Sequence, residues 1–397
     1  MKIQRSASTV YNSQPCPRLL PWPLTGRLIV IALVSILTQG CETAGYYSQA
    51  VAGQLRILAA REPIDRVLAA PDTDPQLQRQ LRLVKSIRTY ARDQLHLPVG
   101  RSYATYVQLD RAYPIWNVLA APEFSLKARQ WCYPIAGCAS YRGYFHRDDA
   151  LKKARQLTEE DYDVYLGPVP AYSTLGWFND PVLSSFITWP ADRLARLLFH
   201  ELAHRRVYIS GDTRFNESFA TAVAELALPD WRRQRGLPGP ASVGEAERRQ
   251  LNQLLLQARK QLQLLYGRDM GDDSKRRQKA NMLARLRQCY RQMSASWPNP
   301  ARYQTYIDKT NNATLALVEE YRSLVPAFRQ LYLQSGGWED FYQAVERLGE
   351  ENKKTRDARL QALGATYQLS NRKVTGPSFS SDTCMSAANT PLATGAN

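Results

Sequence analysis

The chain has 397 residues, 44% of them hydrophobic, and its 52 basic and 36 acidic residues give a net charge of +16. This length and hydrophobic content predict one large domain with a sizeable core and exclude a mainly disordered chain. The sequence contains no glycine-rich phosphate loop, dinucleotide-binding fingerprint or internal repeat, which argues against nucleotide-dependent enzymes and repeat proteins.

The N-terminus has the features of a bacterial lipoprotein signal peptide. Residues 28–37 form an apolar run that is short for a membrane span and typical of a signal peptide. Gly40 precedes Cys41, as a lipoprotein signal peptidase expects, although Thr38 stands where an aliphatic residue is usual. We therefore predict a signal peptide over residues 1–40 and lipidation of Cys41. An uncleaved N-terminal anchor is the alternative.

Both interpretations place the protein on the periplasmic side of a membrane, and Glu42 after the cysteine favours the outer membrane by analogy with lipoprotein sorting. Segment 1–40 carries four basic and no acidic residues, so the remainder has a net charge of +12. In this compartment the anionic partners are membrane surfaces and wall polymers. We expect a lipid-anchored envelope protein with no nucleic-acid partner and with basic residues on solvated helix faces.

The first half of the chain alternates helices and short strands. Residues 45–97 have helix-spaced apolar positions and are predicted to be mostly helical. Residues 103–109 and 115–119 are rich in β-branched and aromatic side chains and predict strands, as does the segment 161–167.

The cysteines fit an oxidising compartment. Without Cys16 and Cys41 the number of cysteines is even. Cys132 and Cys138 flank a Pro/Gly turn, and their spacing does not match zinc thiolate pairs, so a disulfide worth about 2 kcal/mol is predicted. Cys289 and Cys384 either pair, by elimination, or remain free thiols.

The most informative segment is His200-Glu201-Leu202-Ala203-His204, an H-E-x-x-H motif. Residues four apart on a helix lie on one face, so His200 and His204 can bind one Zn²⁺ with Glu201 as the base. Leu194, Leu198 and Leu202 form an apolar stripe roughly opposite the histidines, which predicts an amphipathic helix. A core helix with two incidental histidines is the alternative.

A catalytic zinc site needs a third protein ligand. Glu217 lies in the first turn of a second predicted helix, after a turn at Gly211-Asp212, and could reach the metal from there. An acid that merely stabilises the helix N-terminus is the alternative for Glu217. Asp212 and Glu225 are rival ligands.

Residues 241–365 predict a long helical region. The segment 297–300, Trp-Pro-Asn-Pro, interrupts it. A later helix begins at Asn311-Asn312-Ala313, and an N-cap is the simpler explanation of this segment. The alternative, a place in the substrate cleft, is implied only by the family resemblance described below. Residues 368–397 are rich in small polar residues and are predicted to be disordered.

The motif His200-Glu201-x-x-His204 with Asn216-Glu217 resembles the gluzincin metallopeptidases, in which a second helix supplies a glutamate ligand. More closely, the chain resembles a bacterial family of predicted aminopeptidase lipoproteins. Besides the zinc motif, the segments that carry this likeness are Cys41 with 45–50, 131–138 with 141–145, and 170–178.

The resemblance implies a predominantly helical α+β fold, with a gluzincin-like zinc peptidase core and a small sheet packed on the H-E-x-x-H helix. We expect one peptidase domain over residues 41–367, with its zinc core at about 160–230 and its helical region at about 241–365. The family analogy makes Gly167 to Ser173 the candidate edge strand for substrate, with a structural hairpin as the alternative.

These features predict a zinc-dependent peptidase, an aminopeptidase rather than an endopeptidase, in which zinc-activated water attacks a peptide carbonyl and Glu201 is the general base. Tyr172 and Tyr321 are candidate oxyanion donors, and Asp163 and Asp180 are candidate anchors for a substrate ammonium group. The alternative is a non-catalytic envelope lipoprotein that uses a zinc-binding fold for structure or partner binding. An intact Glu201 argues against it, because a structural site has no use for a base.

Overall fold

The computed structural model of the protein describes residues 44–133, 137–171, 179–237, 244–371 and 384–385. The predicted signal peptide, Cys41 and Tyr172 lie outside these residues. The chain divides into two compact units, Met1–Val51 and Ala52–Asn397. Within the first unit residues 44–51 are helical and form the start of α1; the other elements belong to the second unit. No helix in the described ranges is long and apolar enough to cross a membrane.

The fold is mostly helical, as predicted, with short strands in its first half. Residues 44–59 form α1. The other helices are α2 (Ile64–Ala69), α3 (Pro75–Asp93), α4 (Arg147–Glu159), α5 (Ser184–Ile187), α6 (Ala191–His204), α7 (Thr213–Gln234), α8 (Glu245–Tyr266), α9 (Asp272–Ser294), α10 (Gln304–Asp308), α11 (Asn312–Arg322), α12 (Val325–Leu333), α13 (Trp338–Glu350) and α14 (Lys353–Asn371).

The strands form three small sheets. Their bounds are β1 (Glu62–Pro63), β2 (Thr105–Val107), β3 (Ile115–Pro122), β4 (Trp131–Tyr133), β5 (Gly137–Ala139), β6 (Arg142–Tyr144), β7 (Tyr162–Val169) and β8 (Val182–Leu183). The sheet orders are β1-β2-β8, β6-β3-β7 and β4-β5, and only β2 and β8 pair in parallel. The predicted strands at 103–109, 115–119 and 161–167 correspond to β2, β3 and β7.

Both cysteine pairs are disulfide-bonded. Cys132 and Cys138 stand directly opposite each other in the β4-β5 hairpin. The second bond, Cys289–Cys384, ties a residue of the predicted disordered tail to α9, and Met385 beside it is fully buried. The predicted disordered tail, residues 368–397, is therefore wrong at these two residues and at the end of α14, which runs on to Asn371.

One core is built around the pair α6 and α7. The stripe predicted for α6, Leu194, Leu198 and Leu202, is fully buried in it together with Phe219 and Val223 of α7. Since the apolar side of α6 faces this core, the opposite side is free to present polar groups. A second core lies between α8, α9 and α11 and contains the stripe predicted for α8, namely Leu251, Leu254, Leu255, Ala258, Leu262 and Leu265.

A small sheet shares a core with α6, as predicted, but it is not the sheet that contains the candidate substrate edge. The strands that share a core with α6 are the short β2 and β8. The sheet that contains β7 instead packs chiefly on α4 and α11, while α6 packs on α7 and α3. Strand β7 does lie at a sheet edge and includes Gly167, but residues 172–173 of the predicted substrate edge lie outside the described residues. The candidate edge rested on the family analogy, so the position of β7 corrects that inference and leaves the strand predictions intact.

The start of α11 is fixed by polar contacts. Asn311 is its N-cap, accepting a hydrogen bond from the Thr314 backbone N–H at 3.1 Å while Thr314 Oγ1 accepts from the Asn311 N–H at 2.9 Å. Asp163 accepts from the Asn312 N–H at 2.9 Å and pairs with Lys279 at 2.8 Å. The simpler explanation of the asparagine segment, an N-cap, is the one the structure has.

Candidate metal centre

His200 and His204 lie four residues apart in the last turns of α6, and Glu217 reaches them from the first turns of α7. The turn between the two helices is set by Gly211, which has φ of +77°, and by Asp212, whose carboxylate accepts from the Phe215 N–H at 3.3 Å. These local features bring the start of α7 beside the end of α6.

The three side chains converge on one point. Nε2 of His200 lies 3.1 Å from Oε2 of Glu217 and 3.2 Å from Nε2 of His204, and the remaining distance, from His204 Nε2 to Glu217 Oε2, is 3.6 Å. Ligands at ordinary zinc bond lengths in a tetrahedron are about 3.3–3.6 Å apart. The two nitrogens and one oxygen are therefore spaced, and of the chemical type, to hold one Zn²⁺ ion.

The burial of the cluster also fits a cation. The His204 and Glu217 side chains are only 4% and 12% exposed. Burial opposes the charge of Glu217, but the two histidines outweigh it and hold the pKa of this carboxyl well below its usual range. Nδ1 of His204 is buried and no described residue accepts a hydrogen bond from it. A buried carboxylate between two imidazole nitrogens is a favourable place for a divalent ion.

Glu201 follows His200 on the same helix and lies in a partly negative environment. Burial raises the pKa of the Glu201 carboxyl, and the charges of Glu217 and Asp180 act in the same direction, while the imidazoles of His200 and His204 oppose them. A carboxyl with a raised pKa exchanges protons closer to neutral pH, which is what a general base requires.

Two tyrosines surround the histidines. The ring of Tyr321 stacks on that of His200 with a centroid distance of 6.1 Å and an interplanar angle of 11°. Burial raises the pKa of the phenols of Tyr321 and Tyr141, and the charge of Glu217 adds to the effect in both. Of the two predicted oxyanion donors, Tyr321 therefore lies at the site, and Tyr172 is outside the described residues.

The two rival ligands, Asp212 and Glu225, do not take part in the cluster. Asp212 caps α7 and pairs with Lys353 at 2.8 Å and Arg356 at 2.7 Å, so it is not a metal ligand in this structure. Glu225 is surrounded by arginines and is not a ligand either. Both rivals differ from Glu217 because cationic side chains, rather than imidazoles, occupy their neighbourhoods.

The two candidate ammonium anchors also differ. Asp163 pairs with Lys279 and accepts a hydrogen bond from the start of α11. Its carboxylate is therefore occupied by these partners and does not bind a substrate ammonium group in this arrangement. Asp180 is 5% exposed, its charge acts on Glu201 and Tyr103, and its backbone carbonyl accepts from the Tyr103 N–H at 2.7 Å. Tyr103 itself has a left-handed φ of +57°, an unusual conformation for a tyrosine.

Glu320 is a further acidic residue near Glu217, and it was not predicted from the sequence. Its carboxylate accepts a hydrogen bond of 2.6 Å from the Ser140 hydroxyl. Burial raises its pKa to about 7, the Ser140 hydrogen bond opposes this, and the nearby charges of Glu217 and Glu319 add to it. No motif or spacing marks this residue, because the contact joins segments 180 residues apart in the chain.

A comparison with protein families matches residues 45–360 to the family described as "Putative aminopeptidase". Searches of curated proteins and of solved structures found no match. The family match covers most of the chain, from α1 to α14, and includes all three converging side chains and Glu201. The chain therefore belongs to the putative aminopeptidase family.

Proposed function

We propose that this protein is a zinc-dependent aminopeptidase. The observation that supports the proposal best is the convergence of His200, His204 and Glu217, whose donor atoms lie within 4.8 Å of one another. Two imidazoles and one carboxylate leave a fourth position open, which is typical of catalytic rather than structural zinc sites. The family description agrees with this class of reaction.

Zinc held by these three side chains would supply Lewis acidity, which polarises a peptide carbonyl and lowers the pKa of water. The residues of the chain do the rest. Glu201 accepts the proton of the attacking water and returns it to the leaving amine, as its raised pKa allows. We assign Tyr321 the role of donor to the developing oxyanion; the support is its buried, neutral phenol and the stacking of its ring on that of His200.

Removal of free N-terminal residues needs a negative group that binds the substrate ammonium. Asp180 is our candidate, because its charge acts on Glu201. Glu320 is a second acid near Glu217, but its raised pKa makes it a weaker anchor at neutral pH.

A Glu201→Gln variant tests the enzyme assignment. We expect it to keep its zinc and to lose at least about 100-fold in kcat/KM on peptides, because only the proton acceptor is removed. Glu159→Gln, an exposed position on α4, is the charge-matched control and should behave as the wild type. Unchanged hydrolysis by Glu201→Gln would instead favour the non-catalytic lipoprotein.

Matched peptides with free and blocked N-termini test whether the protein requires a free substrate N-terminus. We expect hydrolysis of peptides with a free N-terminus and none of their N-acetylated forms. Equal cleavage of the blocked peptides would make the protein an endopeptidase.

We further propose that Cys41 is lipidated and anchors the protein in the bacterial envelope, facing the periplasm and in the outer membrane. The support is the apolar run before Gly40-Cys41. Replacing Cys41 with Ser should release the protein from membranes and abolish lipid labelling. Labelling that persists in the variant would refute the anchor.

A further inference from the structure

A cavity of about 230 Å³ lies beside the candidate metal centre, between α6, α7, α8 and α11. His200 forms part of its wall, so the cavity borders the metal site. Arg193 and Arg196 of α6, Arg248 of α8 and Arg322 of α11 also line it, and none of its described lining residues is acidic. Guanidinium groups pair well with carboxylates, so the wall of this cavity is chemically suited to an anionic part of a ligand.

Glu225 pairs with three of the four arginines that line the cavity. Glu225 lies 2.6 Å from Arg322, 3.2 Å from Arg248 and 3.6 Å from Arg196, and it also pairs with Arg329 at 2.7 Å. Within these contacts one carboxylate serves four guanidinium groups. These contacts hold Arg196, Arg248 and Arg322 at the cavity wall, which Glu225 itself does not line.

Arg193 takes no part in the described contacts of Glu225. Its guanidinium lies 3.5 Å from the centroid of the Trp189 ring, which lines the same cavity. Burial lowers the pKa of Arg193, so an anion placed beside it would replace solvation that the cation has lost. The positive charge of the cavity thus extends beyond the cluster that holds Glu225.

The position of the cavity fits a peptide. Arg196 and Arg193 precede His200 by four and seven residues on one helix face, which corresponds to about 6 and about 10 Å along the axis. An extended peptide advances about 3.3–3.6 Å per residue. A carboxylate one to three residues beyond a carbonyl at the metal site would therefore arrive beside these arginines.

We propose that this cavity is a subsite for a peptide carboxylate located one to three residues after the bond that is cleaved. The proposal rests on the proposed peptidase function and narrows its substrate class. The carboxylate is either the C-terminus of a short peptide or an aspartate or glutamate side chain. The small volume fits such a group and one residue around it.

Binding tests the subsite without hydrolysis. Trialanine and trialanine amide are titrated into the metal-free full-length protein by calorimetry. We expect the free acid to bind at least about tenfold more tightly than the amide, as loss of a charged hydrogen bond implies. In Arg193→Gln the ratio of the affinities for the free acid and the amide should fall toward one, and Arg193→Lys should restore part of this ratio. Arg193 has no described contact with Glu225, so the cluster that stabilises the fold is kept.

Arg233→Gln is the matched control, because that side chain is 76% exposed at the far end of α7. It should leave the acid-to-amide preference unchanged. Equal binding of acid and amide by the wild type, no binding of either at millimolar concentration, or a full preference retained in Arg193→Gln would overturn the subsite.

Kinetics with zinc present separates the two proposals. Preferential binding of trialanine without any hydrolysis would refute the peptidase and keep the subsite. Equal kcat/KM on trialanine and its amide, unchanged in Arg193→Gln, would refute the subsite and keep the peptidase.

Ala-Ala-Asp-amide identifies the source of the carboxylate. Preference for it over trialanine amide indicates a side chain, whereas preference for trialanine over both amides indicates the C-terminus.

Discussion

Helix α7 carries two glutamates that are largely shielded from solvent, Glu217 and Glu225, and different types of side chain surround their carboxylates. Their side chains are 12% and 4% exposed, and in both the pKa is held well below its usual range against the effect of burial. Imidazole nitrogens surround Glu217, and guanidinium groups surround Glu225. An imidazole can give its lone pair to a metal, whereas a guanidinium already carries its charge. The first glutamate is therefore suited to bind a cation, and the second is saturated by cations of the protein.

The largest effect is expected from Glu225→Gln. Removing the carboxylate leaves Arg248, Arg322 and Arg329 without their shared partner, and breaking a buried ion pair costs about 3–5 kcal/mol. Because the folded-state pKa of Glu225 is lowered, its contribution is present above the ordinary glutamate value of 4.5 and is lost as the pH falls. Denaturant unfolding at pH 7 and pH 4 measures both effects.

The difference in stability between wild type and Glu225→Gln should be largest at pH 7 and only slightly smaller at pH 4, because pH 4 still lies above the folded-state pKa of Glu225. Zinc content should stay at the wild-type value, because the ligands are untouched. A variant as stable as the wild type, or one that folds but loses zinc, would mean that the two glutamates do not have separate roles.

Glu217→Gln is expected to show the opposite pattern. Zinc affinity should fall by at least about 100-fold, more than is usual for a residue that only supports a ligand. The metal-free variant should lose less stability than Glu225→Gln, since no cluster of arginines loses its partner. Competition with a chelator measures the affinity, and Glu159→Gln serves as the control. Wild-type zinc affinity in Glu217→Gln would remove this glutamate from the ligand set.

Glu320 extends the comparison to a buried carboxylate that no described cation pairs with. Its pKa of about 7 lies above the ordinary 4.5, so the ionised form destabilises the fold above pH 7, and stability rises as the pH falls from 7 toward 4.5. At pH 8, Glu320→Gln should be more stable than the wild type by about 1–3 kcal/mol. The difference should vanish near pH 4.5. An equal stability difference at both pH values would show that Glu320 does not titrate in this range.

Local patterns in the sequence predict much of this molecule. The spacing of His200 and His204, the apolar stripe of α6 and the turn before Glu217 are all short-range features, and each corresponds to an element of the structure. The apolar stripe of α8 and the break at 297–300 are also short-range patterns, and both were predicted from the sequence.

Contacts between distant segments could not be predicted in this way. The choice among Glu217, Asp212 and Glu225 depends on which side chains arrive from α8, α11, α12 and α14, and the sequence does not say where those helices pack. The Ser140–Glu320 contact and the Cys289–Cys384 bond are of the same kind. Arg193 and Arg196 precede His200 at helical spacing, but they were not singled out from the sequence, because their significance depends on Arg248 and Arg322 from other helices.

The central claim is that His200, His204 and Glu217 hold one zinc ion. The most direct test is the metal content of the full-length protein by elemental mass spectrometry, as purified, after chelation and after zinc is added back. We predict one zinc per chain as purified, loss on chelation and full recovery with zinc, with less than about a tenth of that content in His204→Ala. A wild-type protein that binds no zinc even when it is supplied, or a His204→Ala variant that retains it, would contradict the account.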